Sequence, residues 1–268
     1  MKARVISSII LIPFVLAAVL AGGLPYLFLV TLAVTVAGFE YARMLKLKGY
    51  QLSLPLVWCG ALLPIVDAWW GNDRWLTPGL ALLLFSAGAW QLFHREKDPT
   101  ATWTLTVAGG LYLGIGGSYI IRLHNVPDGL WWTLLALAVV WTADSGAYAI
   151  GRRWGRHKMA PTISPGKSWE GYAAELVSGL AAGYFFGWLF PLFAATPLTI
   201  TPLRGLVLGG LLAAVTPLGD FFESMIKREV GVKDSGNLIP GHGGLFDRID
   251  SLLWAGFLAW GFVTLVVR

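Results

Sequence analysis

Residues 220–251 read DFFESMIKREVGVKDSGNLIPGHGGLFDRIDS, and the rest of the chain is apolar by comparison. This stretch holds six acids (Asp220, Glu223, Glu229, Asp234, Asp247, Asp250), four bases (Lys227, Arg228, Lys233, Arg248), one histidine and five glycines. Asp220, Glu223, Ser224, Lys227 and Arg228 fall at i, i+3, i+4, i+7 and i+8, so a helix places them on one face. The apolar run 206–218 precedes them, so the polar face extends a membrane helix. Asp247, Asp250 and Ser251 open another apolar run, 252–267, where acids meet the positive end of the helix dipole. Between the two, Pro240-Gly241-His242-Gly243-Gly244 is too rich in glycine for regular structure and suits backbone N–H contact with an anion.

Working outward, composition sets the class. The 268 residues are 56% hydrophobic and 13% charged, with a mean hydropathy of +0.65. A soluble domain carries about 25% charged residues. The expectation is an all-α integral membrane protein, a polytopic bundle of about nine transmembrane helices in a single membrane domain over 1–268. Apolar runs near 4–22, 24–43, 53–71, 75–93, 103–121, 130–150, 171–193, 203–222 and 248–267 each approach the ~20 residues needed to cross. Pro55, Pro64 and Asp67 interrupt the third run and Pro78 the fourth. Residues 1–21 resemble a signal peptide, but an uncleaved first helix is the preferred reading because the remainder is itself membrane-embedded. Cys59, the single cysteine, is read as a packing residue.

With the N-terminus in the cytoplasm, 16 of the 20 Lys and Arg fall on the cytoplasmic side of nine spans, as the positive-inside rule requires. The active-site loops are then cytoplasmic and the C-terminus lies across the membrane. The two richest loops, 151–170 and 223–247, share the cytoplasmic face. The first holds Pro161 and Pro165-Gly166, which forbid a continuous helix. Its Ser164, Lys167 and Ser168 are candidate phosphate contacts next to an incoming helix N-terminus, although the spacing of a strict P-loop is absent. A basic loop holding anionic headgroups is the plainer alternative.

Acids within spans default to functional candidates. Asp144, among the small residues of 142–148, has even standing as a site residue or a packing device. Glu175 is left undecided. Glu40 is read as reaching for water near a helix end, and Asp67 as lying near an interface. His242 is read as a phosphate or structural contact ahead of a general base. A divalent cation bridging carboxylates and phosphates, at a lipid–water border, suits phosphoryl or nucleotidyl transfer between a soluble phosphate compound and a lipid-bound anion.

The residues carry a resemblance. Ser224, Ile226, Lys227-Arg228, Lys233-Asp234, Gly236, Ile239, Pro240, His242-Gly243-Gly244, Leu245, Asp247-Arg248, Ile249 and Asp250 match, without departure, the signature of phosphatidate cytidylyltransferases. Residues 144–148 and 164–171 are also similar to that family, with Ser168 where threonine is common. The resemblance is tight over a catalytic region, 142–251, and only compositional over the variable spans of 1–101. It implies a multi-pass enzyme of the bacterial inner membrane, a homodimer among membrane lipids, converting CTP and phosphatidic acid into CDP-diacylglycerol and pyrophosphate. No nucleic acid is implied. It implies Mg²⁺, with K⁺ as a second metal. Asp220 and Asp247 take the metal role, with Asp250 and Glu223 as second-rank ligands. Lys227, Arg228, Lys233 and Arg248 hold phosphates, Ser224 and His242 position them, Gly243 and Gly244 approach the anion, and Ser164 and Lys167 close the site. A CTP-dependent polyprenol or phytol kinase is the alternative enzyme, and a secondary transporter the alternative of another class. On this reading Asp247→Asn abolishes turnover in protein that still inserts and folds; near-normal turnover by the purified, folded variant removes Asp247 from the metal set.

Overall fold

The computed structural model describes residues 2–71, 74–94, 97–238 and 243–267. Helices cover all nine expected spans: α1 (Lys2–Ala21), α2 (Gly23–Leu47), α3 (Leu54–Trp70), α4 (Leu76–Phe93), α5 (Pro99–His124), α6 (Gly129–Trp154), α7 (Trp169–Leu189), then α8 (Pro202–Val215) with α9 (Pro217–Glu229), and α10 (Phe246–Phe262). The eighth span is two helices because Pro217 has no N–H to continue the ladder past Thr216. Seven segments are long and apolar enough to cross a bilayer, while those at the first and third expected spans, 11–21 and 54–70, are apolar but shorter. The chain is an all-α polytopic membrane protein. Side chains such as Phe85 and Phe93 of α4 are more than 70% exposed, which water would penalise and lipid does not.

One local departure from all-helix lies in 151–170. Strands β1 (Lys158–Ala160) and β2 (Ser164–Ser168) pair antiparallel, Lys158 opposite Ser168 and Ala160 opposite Ser164. Pro161 and Pro165 exclude helix here, and a two-stranded ribbon tolerates a proline where no ladder bond is needed. The other basic loop is shorter than expected, because α9 continues to Glu229.

The contacts gather into two compact units. One comprises residues 1–122 and 226–249, the other 123–225 and 250–268. In the first, α5 lies against α3 through glycine: a Cβ on Gly110 would strike the backbone of Val57 at 2.7 Å. Val34, Ala37, Val57, Ala61, Ile65 and Leu113 fill its core. Asp67 is buried and accepts from Arg122 at 3.0 Å, so the carboxylate read as interfacial is instead neutralised inside the fold. Cys59 departs from its packing role. Val57, Gly60, Ala61 and Pro64 make the buried face of α3, and Cys59 falls off that face and is exposed.

In the second unit Trp132, Leu135, Val139, Leu208, Leu212 and Phe262 form the core. Helices α7 and α8 approach backbone to backbone through Gly179, Gly183 and Gly187 facing Gly205 and Gly209. A Cβ on Gly209 would sit 3.0 Å from the Cα of Gly183. Gly183→Val is therefore expected to pry α7 from α8 at a cost of about 1–3 kcal/mol or more, read as a lower thermal midpoint in detergent, whereas Gly166→Ala, where a Cβ meets nothing within 4 Å, leaves the midpoint unchanged.

Candidate functional site

Each unit assembles one polar cluster, and α9 and α10 contribute residues to both. In the second unit, Asp220 and Glu223 of α9 meet Asp250 of α10. One carboxylate oxygen from each lies within 4.8 Å of the others. The approach depends on Gly219, where a Cβ would lie 2.7 Å from the Asp250 carbonyl oxygen and 2.8 Å from the Trp254 ring. Glu223 is fully buried and Asp250 nearly so. Such grouping of acids opposes burial unless cations answer it. Lys167, carried by β2, answers Asp220 Oδ2 at 2.8 Å and lies 4.7 Å from the Phe221 ring centroid. The Ser224 hydroxyl donates to Asp220 Oδ1 at 3.1 Å. In an octahedral Mg²⁺ site neighbouring ligand oxygens stand about 3 Å apart and opposite ones about 4.2 Å, so the trio would draw inward to ligate one. The donor set is hard oxygen, and it fits Mg²⁺ or a similar divalent cation.

The hairpin that carries Lys167 is closed by its own chain. Glu170, in the first turn of α7, accepts from the amides of Arg156 and His157 at 3.1 and 3.2 Å and pairs with His157 Nδ1 at 2.6 Å. Ser168 is the N-cap of α7 and accepts from the Gly171 amide at 3.2 Å. Its hydroxyl oxygen is thus a capping acceptor in a buried position, where the sequence suggested a phosphate contact. Glu175, one turn further along, is buried, and Lys167, Asp144 and Asp220 are the charges that act on it. Asp144 itself is exposed, as are Ser145 and Tyr148 near it on α6.

The first unit holds the other cluster. Lys227 donates to Asp247 Oδ1 at 2.5 Å, with both side chains less than a tenth exposed. Asp247 Oδ2 accepts from the Ser235 amide (2.9 Å), the Ser235 hydroxyl (2.8 Å) and the Gly244 amide (2.8 Å). Glu40 of α2 accepts from the Phe246 amide at 2.8 Å and lies 3.2 Å from the Ser235 hydroxyl. Reaching for water is therefore not what Glu40 does: it is 5% exposed and bonded inward. Gly243 has φ +81°, a backbone state that favours glycine, so the chain can turn its neighbour's amide onto Asp247.

Of the expected metal ligands, the structure thus gathers Asp220, Glu223 and Asp250, and gives Asp247 four donors of its own. Of the expected phosphate contacts, Arg228, Lys233 and Arg248 are exposed, and Arg228 reaches the Val232 carbonyl at 3.3 Å. Lys227 is committed to Asp247, and Gly244 spends its amide there as well. Ser164 opens β2 and is half-buried. His242 lies outside the described residues. Two residues of the cluster were missed. Glu40 stood in an apolar run, a signal in itself, and Ser235 sat at an unspecified position of the signature.

These features define a polytopic helical membrane protein with a carboxylate trio suited to a divalent cation and a lysine at its edge. A family model described as the cytidylyltransferase family matches residues 2–266, and the chain belongs to that family. Relatives named phosphatidate cytidylyltransferase run the length of the chain. The Bacillus subtilis protein is 34% identical over 263 residues, covering 95% of this chain and 94% of the relative. The Synechocystis protein is 32% identical over 303 residues, covering 98% and 97%, and the Mycobacterium bovis protein 33% over 252 residues, covering 89% and 80%.

The Lys227–Asp247 pair is expected to be strongly coupled. Lys227→Met leaves a buried carboxylate without this counter-ion and costs about 3–5 kcal/mol. Asp247→Asn removes the charged partner that the buried ammonium meets at 2.5 Å, so loss of activity in that variant is accompanied by loss of stability. The double variant Lys227→Met/Asp247→Asn recovers part of the thermal midpoint in detergent; strictly additive losses contradict the coupling.

Proposed function

We propose that the chain transfers CMP from CTP to phosphatidic acid, giving CDP-diacylglycerol and pyrophosphate. The observation that carries this reading is the Asp220–Glu223–Asp250 trio beside Lys167, in a chain of the cytidylyltransferase family whose relatives are named phosphatidate cytidylyltransferase. A phosphate oxygen of the lipid attacks the α-phosphorus of CTP, the α–β bridging P–O bond breaks, and pyrophosphate leaves with the electron pair. The lipid phosphate is already largely ionised near neutral pH, so no general base is required. Positioning and charge compensation carry the catalysis.

The geometry supports the following roles. Asp220, Glu223 and Asp250 would hold Mg²⁺, which when bound would offset phosphate charge. Ser224 orients the Asp220 carboxylate. Lys167, set on its rigid hairpin, supplies a fixed positive charge at the edge of the trio, and its ammonium has protons beyond the one given to Asp220. The exposed Arg228, Lys233 and Arg248 supply cationic contacts to triphosphate or lipid phosphate. Asp247 and Lys227 shape the loop that follows α9. The reading places the N-terminus and both loops at the cytoplasmic face of a bacterial inner membrane, from the bias of basic residues, with the protein working as a homodimer.

The test uses purified protein in detergent with phosphatidic acid, Mg²⁺ and CTP labelled on the α-phosphorus. Label is expected in the lipid phase and is expected to be lost with chelator. Label reaching lipid only from the γ-phosphorus, with a lipid alcohol as acceptor, replaces this reading by a CTP-dependent kinase.

A further inference from the structure

Glu40 is a buried carboxylate that the proposed reaction does not use, and its hydrogen-bond partners among the described residues stand far from it in sequence. It comes from α2, and its partners are Ser235 and Phe246, 195 and 206 residues away. Two glycines make room for it. A Cβ on Gly236 would lie 2.5 Å from Glu40 Oε1, and a Cβ on Gly244 would lie 2.5 Å from Oε2. The chain before and after residues 239–242 is thus shaped around one carboxylate. Phe246, whose amide Glu40 holds, is fully buried with its ring edge-on to Tyr41 at 6.3 Å. The Ser235 hydroxyl has a single proton, and its shorter approach is to Asp247. Glu40 borders that hydroxyl at 3.2 Å, and its firm donor is the Phe246 amide.

We propose that Glu40 is a positioning residue for the reaction: from α2 it holds the first turn of α10 at the Phe246 amide, and through that turn the orientation of Asp247 and Lys227. The side chain touches neither substrate in this role. Two geometric demands follow. The acceptor oxygen has to reach the Phe246 amide, and it has to occupy the space that Gly236 and Gly244 leave open. Glutamine meets both, because its carbonyl oxygen accepts from the same amide. Aspartate keeps the charge and meets neither, because it withdraws the carboxylate by one methylene. The effect on catalysis rests on the cytidylyl-transfer reading; the anchoring does not.

The experiment compares wild type with Glu40→Asp, Glu40→Gln and Glu40→Ala in detergent, each first shown to be monodisperse. Amide hydrogen exchange is followed at Ser235, Gly244 and Phe246, and transfer from α-labelled CTP is measured as kcat and KM. Glu40→Asp and Glu40→Ala are expected to speed exchange at Phe246 and to lower kcat about tenfold or more, as for loss of a buried amide's acceptor. KM for CTP stays within about twofold on the same argument that the contact is not to substrate. Glu40→Gln is expected near wild type in both. Exchange and kcat unchanged in Glu40→Asp overturn the proposal, as does faster exchange with unchanged kcat, or a Glu40→Gln variant as impaired as Glu40→Asp. If Glu40→Ala fails to fold, the Asp and Gln pair decides alone. If wild type transfers no label while Glu40→Asp still frees the Phe246 amide, the anchoring holds and the proposed reaction fails.

Discussion

Carboxylates inside an apolar helical protein have to be answered locally, and most of the architecture follows from that demand. Ionised groups lose hydration on entering such surroundings, and only nearby protons or cations restore what is lost. Asp67 is answered by Arg122, Asp220 by Lys167 and Ser224, and Asp247 by Lys227 and three further donors. Apart from Ser224, one turn along α9 from Asp220, each answer comes from an element distant in sequence or from the loop that follows α9. Glycine is the means by which those elements come close enough. Gly219 admits Asp250 to the face of α9, and Gly236 and Gly244 admit Glu40 to the loop.

The two polar clusters have different chemical character. The trio of Asp220, Glu223 and Asp250 gathers like charges, with Lys167 paired to Asp220, a donor set suited to a divalent cation. The cluster around Asp247 is internally matched, with a salt bridge, two backbone amides and a hydroxyl on a single carboxylate. The first leaves like charges side by side, and the second sets each oxygen of Asp247 against a donor. Both kinds of acid occur in one short signature, and in the sequence they look alike.

That likeness explains how far the sequence could be read. The nine apolar runs were legible because a bilayer enforces length and composition together, and helices appear over all of them. The shared face of Asp220, Glu223, Ser224 and Lys227 was legible from helical spacing, as was the failure of helix between Pro161 and Pro165. Which acids meet was not legible, since it depends on whether α9 and α10 can touch, and that rests on the missing side chain of Gly219. The inward turn of Glu40 was not legible either. An acid near a helix end reads equally well as solvated, and its partners lie some two hundred residues away. Ser168 was assigned by its neighbours to a ligand, and its position before a helix was equally a signal for the cap that it forms.

The attachment of the signature loop at both ends has a consequence for its length. Lys48, just past α2, holds the end of α9 at the Glu229 carbonyl and carboxylate, 2.8 and 2.9 Å away. Glu40, on α2, holds the start of α10 at Phe246. The excursion between them is a closed loop whose mouth is set by one helix. The entropy of closing such a loop grows only logarithmically, by about 0.6 kcal/mol per doubling. Residues can therefore be gained or lost in the excursion at small thermodynamic cost, provided that Ser235 and Gly244 still reach their carboxylates. Variation in the length of this segment is limited by geometry at its mouth rather than by the stability of the fold.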